Sequence, residues 1–110
     1  VQLKTALTNS EEMNEIFSSS ELDQKARRLS VVQPRLTSTL LRQAPATVVV
    51  IFIVDENGRV QDPKVQRTTN PSFDRSALAA IKQWKFEPAK VQGRSVSSRL
   101  RQSFSFENNT

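Results

Sequence analysis

The side chains that carry most hydrolytic, redox and metal chemistry are missing from this sequence, which has no His and no Cys among its 110 residues. That removes thiol catalysis, disulfides, the usual zinc sites and any Ser/His/Asp arrangement. The absence of Cys is compatible with any redox compartment. The adjacent carboxylates Asp55 and Glu56 are the clearest acidic pair, but two acids in a turn with no further ligands nearby make a poor cation cage, and turn chemistry explains them better. An active site would need carboxylates or Lys gathered in a cleft, and no such cluster shows. The sequence therefore predicts no enzyme, no cofactor and no metal. The net charge of +5 is spread over separated pairs, Arg27-Arg28, Lys82/Lys85 and Arg99/Arg101. There is no dense basic block and no aromatic residue interleaved with the cations as a base-stacking platform requires, so nucleic acid is not an expected partner. What remains is non-covalent recognition, and the stretch best built for it is the alternating tail of the chain. From 96 to 106 the even positions read Val, Ser, Leu, Gln, Phe, Phe and the odd ones Ser, Arg, Arg, Ser, Ser. This is a long strand with one face buried and one wet.

The elements that position this strand are legible around it. Residues 48–54 are almost all β-branched and apolar on both faces, which predicts a central strand covered on one side by a helix and on the other by something else. Asp55-Glu56-Asn57-Gly58 is a turn signal, and Asn-Gly suits the positive φ of a tight hairpin. The return strand covers 59–68, with Pro63 inside it, so a bulge or an exposed edge is expected there. Asn70-Pro71 then opens a helix, since Asn caps and Pro is favoured at the first helical position. Phe73, Ala77, Ile81 and Trp84 form its apolar stripe, and Pro88 is expected to end it. Trp84 and Phe86 are expected as core plugs, Asp74 as a first-turn acid, and Gln92-Gly93-Arg94 as the turn into the last strand.

The first 46 residues are less clear. Asn9-Ser10-Glu11-Glu12 suggests a helix start followed by Met13, Ile16 and Phe17, a stripe that would dock on the domain or on a second copy. Ser20 opens a second possible helix with Leu22, Ala26 and Leu29 on one face, and an extended arm over 20–36 is the alternative. A third short helix fits 37–43, ahead of Pro45. None is long enough to be stable alone. The expected division is an N-terminal extension over 1–46, a domain over 47–107 and a tail over 108–110. At 36% hydrophobic residues and a mean hydropathy of −0.49, only one modest core is available. No apolar run approaches the roughly 20 residues of a membrane span, and no signal-peptide pattern opens the chain. The sequence lacks an initiator Met, which fits a fragment of a longer protein.

The ordered set Val54-Asp55-Glu56-Asn57-Gly58-Arg59-Val60, then Phe73-Asp74 with Ala77-Leu78, then Trp84-Lys85-Phe86-Glu87-Pro88, closely resembles the C-terminal domain of TonB-like energy transducers. Gly93 and the alternating tail extend the likeness to Phe106, and Leu22-Asp23 and Gln33-Pro34 carry it upstream. The resemblance implies an α+β fold, one helix packed on a three-stranded antiparallel sheet. It also implies a periplasmic head, tied to the inner membrane by an upstream anchor and a Pro-rich spacer. Such a head grips the TonB-box peptide of an outer-membrane transporter and passes on the work of an inner-membrane proton-driven motor complex. The family usually has Tyr-Pro where this chain has Arg35-Leu36, Gly near Ala46, and often Pro near Lys25-Ala26, so the approach to the domain is expected to differ. A bare sheet edge accepts an extended peptide as a further strand. The expected binding residues are Ser97, Ser98, Arg99, Leu100, Arg101, Gln102 and Ser103, with Arg99, Arg101 and Ser103 setting register and charge preference or simply standing in solvent. The second reading is a structural or assembly module that self-associates, as a homodimer for example, with its edge filled by its own N-terminal segment or by another copy.

Overall fold

A computed structural model describes residues 2–7, as backbone, and 22–107, and orders the chain as follows. Strands β1 (Gln2–Leu7) and β2 (Arg27–Ser30) precede a single helical turn, α1 (Ser38–Leu41). The hairpin β3 (Ala46–Val54) and β4 (Val60–Thr68) leads through a 3-10 turn, Pro71–Phe73, into α2 (Asp74–Ile81). Three short strands follow, β5 (Lys85–Glu87), β6 (Ala89–Val91) and β7 (Arg94–Val96), and the long β8 (Ser98–Glu107) closes the fold. The main sheet is antiparallel throughout, in the order β1-β8-β3-β4. Strands β8, β3 and β4 together with α2 are the expected α+β architecture.

The apolar run becomes a central strand, flanked by β4 on one side and β8 on the other. Along β3, Val48, Val50, Phe52 and Val54 are buried and the intervening residues half-buried. The buried set meets α2 and the 3-10 turn before it, where Phe73, Ala77 and Ile81 are fully buried, as the periodic stripe requires. The expectation that both faces of 48–54 would be covered holds for one face only. On the other, Val49, Ile51 and Ile53 are half-buried, and the β3–β8 register places Arg101 opposite Ile51 and Arg99 opposite Ile53. Long basic side chains on such a face can lay their methylenes over apolar neighbours while keeping the charge wet.

Aromatic rings fill the volume between α2 and the sheet. Trp84 meets Phe104 edge-on at 5.7 Å and Phe86 at 6.2 Å, Phe86 lies 5.7 Å from Phe52, and Phe73 lies 4.8 Å from Phe106. Trp84 and Phe86 are core plugs as expected, 2% and 3% exposed. Asn70 caps the 3-10 turn, its Oδ1 accepting from the amide of Ser72 at 3.0 Å. The helix stops at Ile81, seven residues before the expected breaker, Pro88. The segment preceding Pro88 is instead the strand β5, because its backbone is taken up elsewhere: β5 pairs with β2, and the amide of Phe86 donates to the carbonyl of Gly58 at 2.9 Å. A second difference is the hairpin β6–β7, whose turn residues Gln92 and Gly93 both have positive φ, the type I′ geometry.

The N-terminal approach is an extended arm. Expected helix positions 22–29 are not helical: Ala26 is buried but Leu29 is 67% exposed, so they share no face. Long-range bonds outcompete a marginal helix here. Asp23 donates its amide to the carbonyl of Lys90 at 2.7 Å, Lys90 donates back to Gln24 at 2.9 Å, and Trp84 Nε1 donates to the carbonyl of Val32 at 2.9 Å. Arg27 donates through Nε to Glu87 Oε1 at 2.8 Å and pairs with it through Nη2 as well. The guanidinium of Arg27 holds the Glu87 carboxyl below its ordinary value. The α1 turn sits where the third short helix was expected, capped by Thr37 Oγ1, which accepts from Leu40 N at 3.2 Å. The expected helix from Asn9 through Phe17 lies outside the described residues.

At the β3–β4 turn, Asp55 is buried enough to push its carboxyl upward, yet bonding wins. Its oxygens accept from the amides of Arg59 and Asn57 and from Gln61 Nε2, each at 2.9 Å, and together with the charge of Arg59 these hold its pKa below 3.8. A carboxylate depressed in the folded state contributes stability above its unfolded pKa and loses it as pH falls through the folded value. Urea melts should therefore show Asp55→Asn less stable than the parent at about pH 6, with the gap narrowing as pH falls below the ordinary carboxylate range. A gap constant with pH would refute the assignment.

Candidate docking edge

An antiparallel sheet offers strand addition only where an edge is long, regular and free of breakers. The three strands β8-β3-β4 present two outer sides, along β4 and along β8, and they differ. Along β4, Asp62 has φ +54, Pro63 has no N–H to give, and the register to β3 shifts between Val49 and Val50 and again between Ile51 and Ile53. Exposed Asp62 and Lys64, 3.8 Å apart, add charge at the irregularity. This is the expected bulged edge, and it is a poor template.

β8 is the opposite case. It runs ten residues without Gly or Pro and pairs with β3 in unbroken register from Ala46↔Phe106 to Val54↔Ser98. Its burial alternates strictly, so the period-two reading is correct in phase, but the strand begins at Ser98, because Val96 is taken into β7 and pairs with Ala89 of β6. Six of the seven sequence-predicted residues form its first part, and the seventh, Ser97, leads into it. Ser97 precedes the strand and is half-buried; Ser98, Leu100 and Gln102 face the core; Arg99, Arg101 and Ser103 face the other side, half-buried. Arg101 Nη1 donates to Gln66 Oε1 at 3.1 Å, which spans β3 to reach β4. Arg99 is half-buried, in register with Ile53, and Arg101 is tied to Gln66; neither is simply in solvent. Two core-facing residues are polar: Ser98 is 1% exposed and Gln102 0%.

The outer side of β8 carries a strand that sequence reasoning missed. β1 pairs with it antiparallel, from Gln2↔Glu107 to Leu7↔Gln102. No described strand pairs with residues 98–101 on that side. A signal for β1 was present, since Leu3, Thr5 and Leu7 alternate with Gln2, Lys4 and Ala6, and by register the first set falls opposite Phe106, Phe104 and Gln102. Six residues of mixed polarity are weak evidence for a strand until the edge they meet is known.

A separate groove of about 360 Å³ lies between the arm and α2, lined by Val32, Gln33, Arg35, Arg75, Ala79 and Gln83 among others. Among the described residues no cluster of three or more acidic groups could hold a metal ion, and no helix is long and apolar enough to cross a membrane.

The sequence model of the family described as "Gram-negative bacterial TonB protein C-terminal" matches residues 40–107, more than half of the chain. The chain belongs to this family. Protein TonB from Xanthomonas campestris pv. campestris, in strains B100 and ATCC 33913, is 35% identical over 60 residues, 54% of this chain. The aligned stretch spans 27% of those relatives' length. The solution NMR structure of the Pseudomonas aeruginosa TonB CTD matches with a TM-score of 0.67 at 24% identity, covering 80% of this chain and 91% of that one. At that identity what is shared is the fold. At Arg35-Leu36, where the approach to the domain was expected to differ, Leu36 packs against the core, while Arg35 is exposed and lines the groove beside α2.

Proposed function

We propose that this chain is the periplasmic head of a TonB-like transducer, which docks the TonB-box peptide of an outer-membrane transporter as an added strand on β8. The observation that carries the reading is the contrast between the two edges: β8 is unbroken over ten residues, and β4 is bulged and charged. Main-chain bonding along such an edge asks little of the partner's sequence, so one head can serve several transporters. It also suits force. Tension along the added strand is shared by several hydrogen bonds at once, each contributing on the order of 1 kcal/mol net. In this reading an upstream anchor ties the head to the inner membrane and its motor complex, and the head performs no chemistry. Titration of the chain with a TonB-box peptide should move the backbone amide resonances of residues 97–103. Stationary resonances there at saturating peptide would sink the proposal.

The second reading, a module that uses the TonB fold for assembly with its edge filled from within or by another copy, is favoured by one observation, the pairing of β1 with β8. Sedimentation separates its forms. A dimer that dissociates when β8 is blocked supports it, and a monomer that binds transporter peptide supports the transducer.

A further inference from the structure

Four buried side-chain polar atoms among the described residues have no hydrogen-bond partner, and three of them sit on β8: Ser98 Oγ, Arg99 Nε and Gln102 Oε1. Gln102 is the most telling. It is fully buried, in a row with Leu100 and Phe104 on the same face and opposite Val50 of β3. Its Nε2 donates to the carbonyl of Ser103 at 2.9 Å, so the amide nitrogen is used and the oxygen is not. An apolar residue of similar length would close this row without an orphaned acceptor, and an unanswered buried acceptor destabilises the fold that holds it. The missing donor can come from the strand that lies alongside. In the present arrangement that strand is β1, and the residue in register with Gln102 is Leu7, a residue type with no side-chain donor. β1 therefore completes part of the backbone ladder and leaves Gln102 unanswered. It is also short for the edge, pairing with residues 102–107 of a strand that begins at Ser98.

We infer that β1 is a displaceable stand-in for the partner strand, and that the partner which replaces it is an extended peptide with a hydrogen-bond-donating side chain in register with Gln102. The inference rests on strand addition at β8 and adds to it a built-in competitor and a point of selection. Because β1 is tethered, it competes at a high effective concentration, and a peptide's apparent affinity is lowered by the fraction of molecules in which the edge is occupied. Only a strand that pairs with more of the edge, or that answers Gln102, overcomes that advantage. A general holdfast for any β-prone segment is thereby avoided.

The test uses the full chain and two synthetic peptides, residues 1–7 as they stand and the same peptide with Leu7→Asn. Binding is followed by the amide resonances of residues 97–107. In the chain carrying Thr5→Pro, which removes an amide from the β1 ladder, both peptides should bind about tenfold more tightly than to the parent. The Leu7→Asn peptide should bind about tenfold more tightly than the unaltered one, and Gln102→Leu in the chain should abolish that preference. Equal affinity of the parent and Thr5→Pro chains overturns β1 as a competitor. Equal affinity of the two peptides overturns selection at Gln102. Strand addition fails separately: in that case neither these peptides nor the TonB-box peptide moves residues 97–103 in any variant.

Discussion

Gly58→Ala is expected to remove a large part of the stability of the domain, though the change adds a single methyl group to a turn. Two conditions meet at this residue. Its φ is +81, a conformation that costs an L residue about 1–2 kcal/mol. A Cβ there would also lie well inside van der Waals contact with the carbonyl oxygen of Phe86, which is backbone and has no rotamer to escape by. Relief requires the β3–β4 turn and β5 to separate, which breaks the bond from Phe86 N to Gly58 O and loosens a ring packed on Phe52 and Trp84. The summed cost is about 3–5 kcal/mol, against a total of about 5–15 kcal/mol for a domain. Thermal melting should show a fall of at least about 12 °C, at roughly 4 °C or more for each kcal/mol. Gly93→Ala is the internal control. Its φ of +78 imposes the same backbone cost, but nothing lies within 4 Å of the added carbon. A loss of about 1–2 kcal/mol is expected there. Equal effects at the two glycines would show that the close approach of Gly58 to Phe86 has no energetic weight.

Trp84→Ala is expected to cost about 3–5 kcal/mol and to release the N-terminal arm, whereas Trp84→Phe separates the two effects. The indole does two jobs. Its ring, 2% exposed, is packed between Phe86 and Phe104 and so joins the end of α2 to β8. Its Nε1 holds the arm through the carbonyl of Val32 at 2.9 Å. Trp84→Phe keeps most of the ring contact and deletes the donor, leaving an expected loss of about 1–2 kcal/mol. In that variant, hydrogen exchange should accelerate in β2 while the amides of β3 and β8 stay protected. Uniform acceleration across the sheet would mean that the arm and the core unfold as one unit.

These two residues belong to the groups that the sequence made most visible, and both act through partners it did not reveal. Gly58 is readable as a turn residue from Asn57-Gly58 between two strand-like runs, but its contact with Phe86, 28 positions on, is not. Trp84 is readable as the end of the stripe begun by Phe73, but its bond to Val32 spans 52 positions. The candidate edge divides in the same way. Alternation along 96–106 established which residues of β8 face inward, and Pro63 identified β4 as the weaker edge. Neither could say that Gln102 would lack a partner, or that residues 2–7 would lie beside it.

Physical range accounts for the division. Periodicity, capping at Asn70 and the turn at Asp55 are settled by neighbours within a few residues, so the central strand, the helix start, the hairpin and the last strand follow from the sequence by itself. The tertiary structure decided what happens where local preference is weak. Residues 22–36 have enough helical pattern to form a short helix and are instead drawn out by bonds to Lys90, Glu87 and Trp84. The segment before Pro88 becomes a strand because Gly58 and β2 accept and donate to its backbone. A backbone group must find a partner somewhere in the fold, and where the local partner is worth little a distant one takes it.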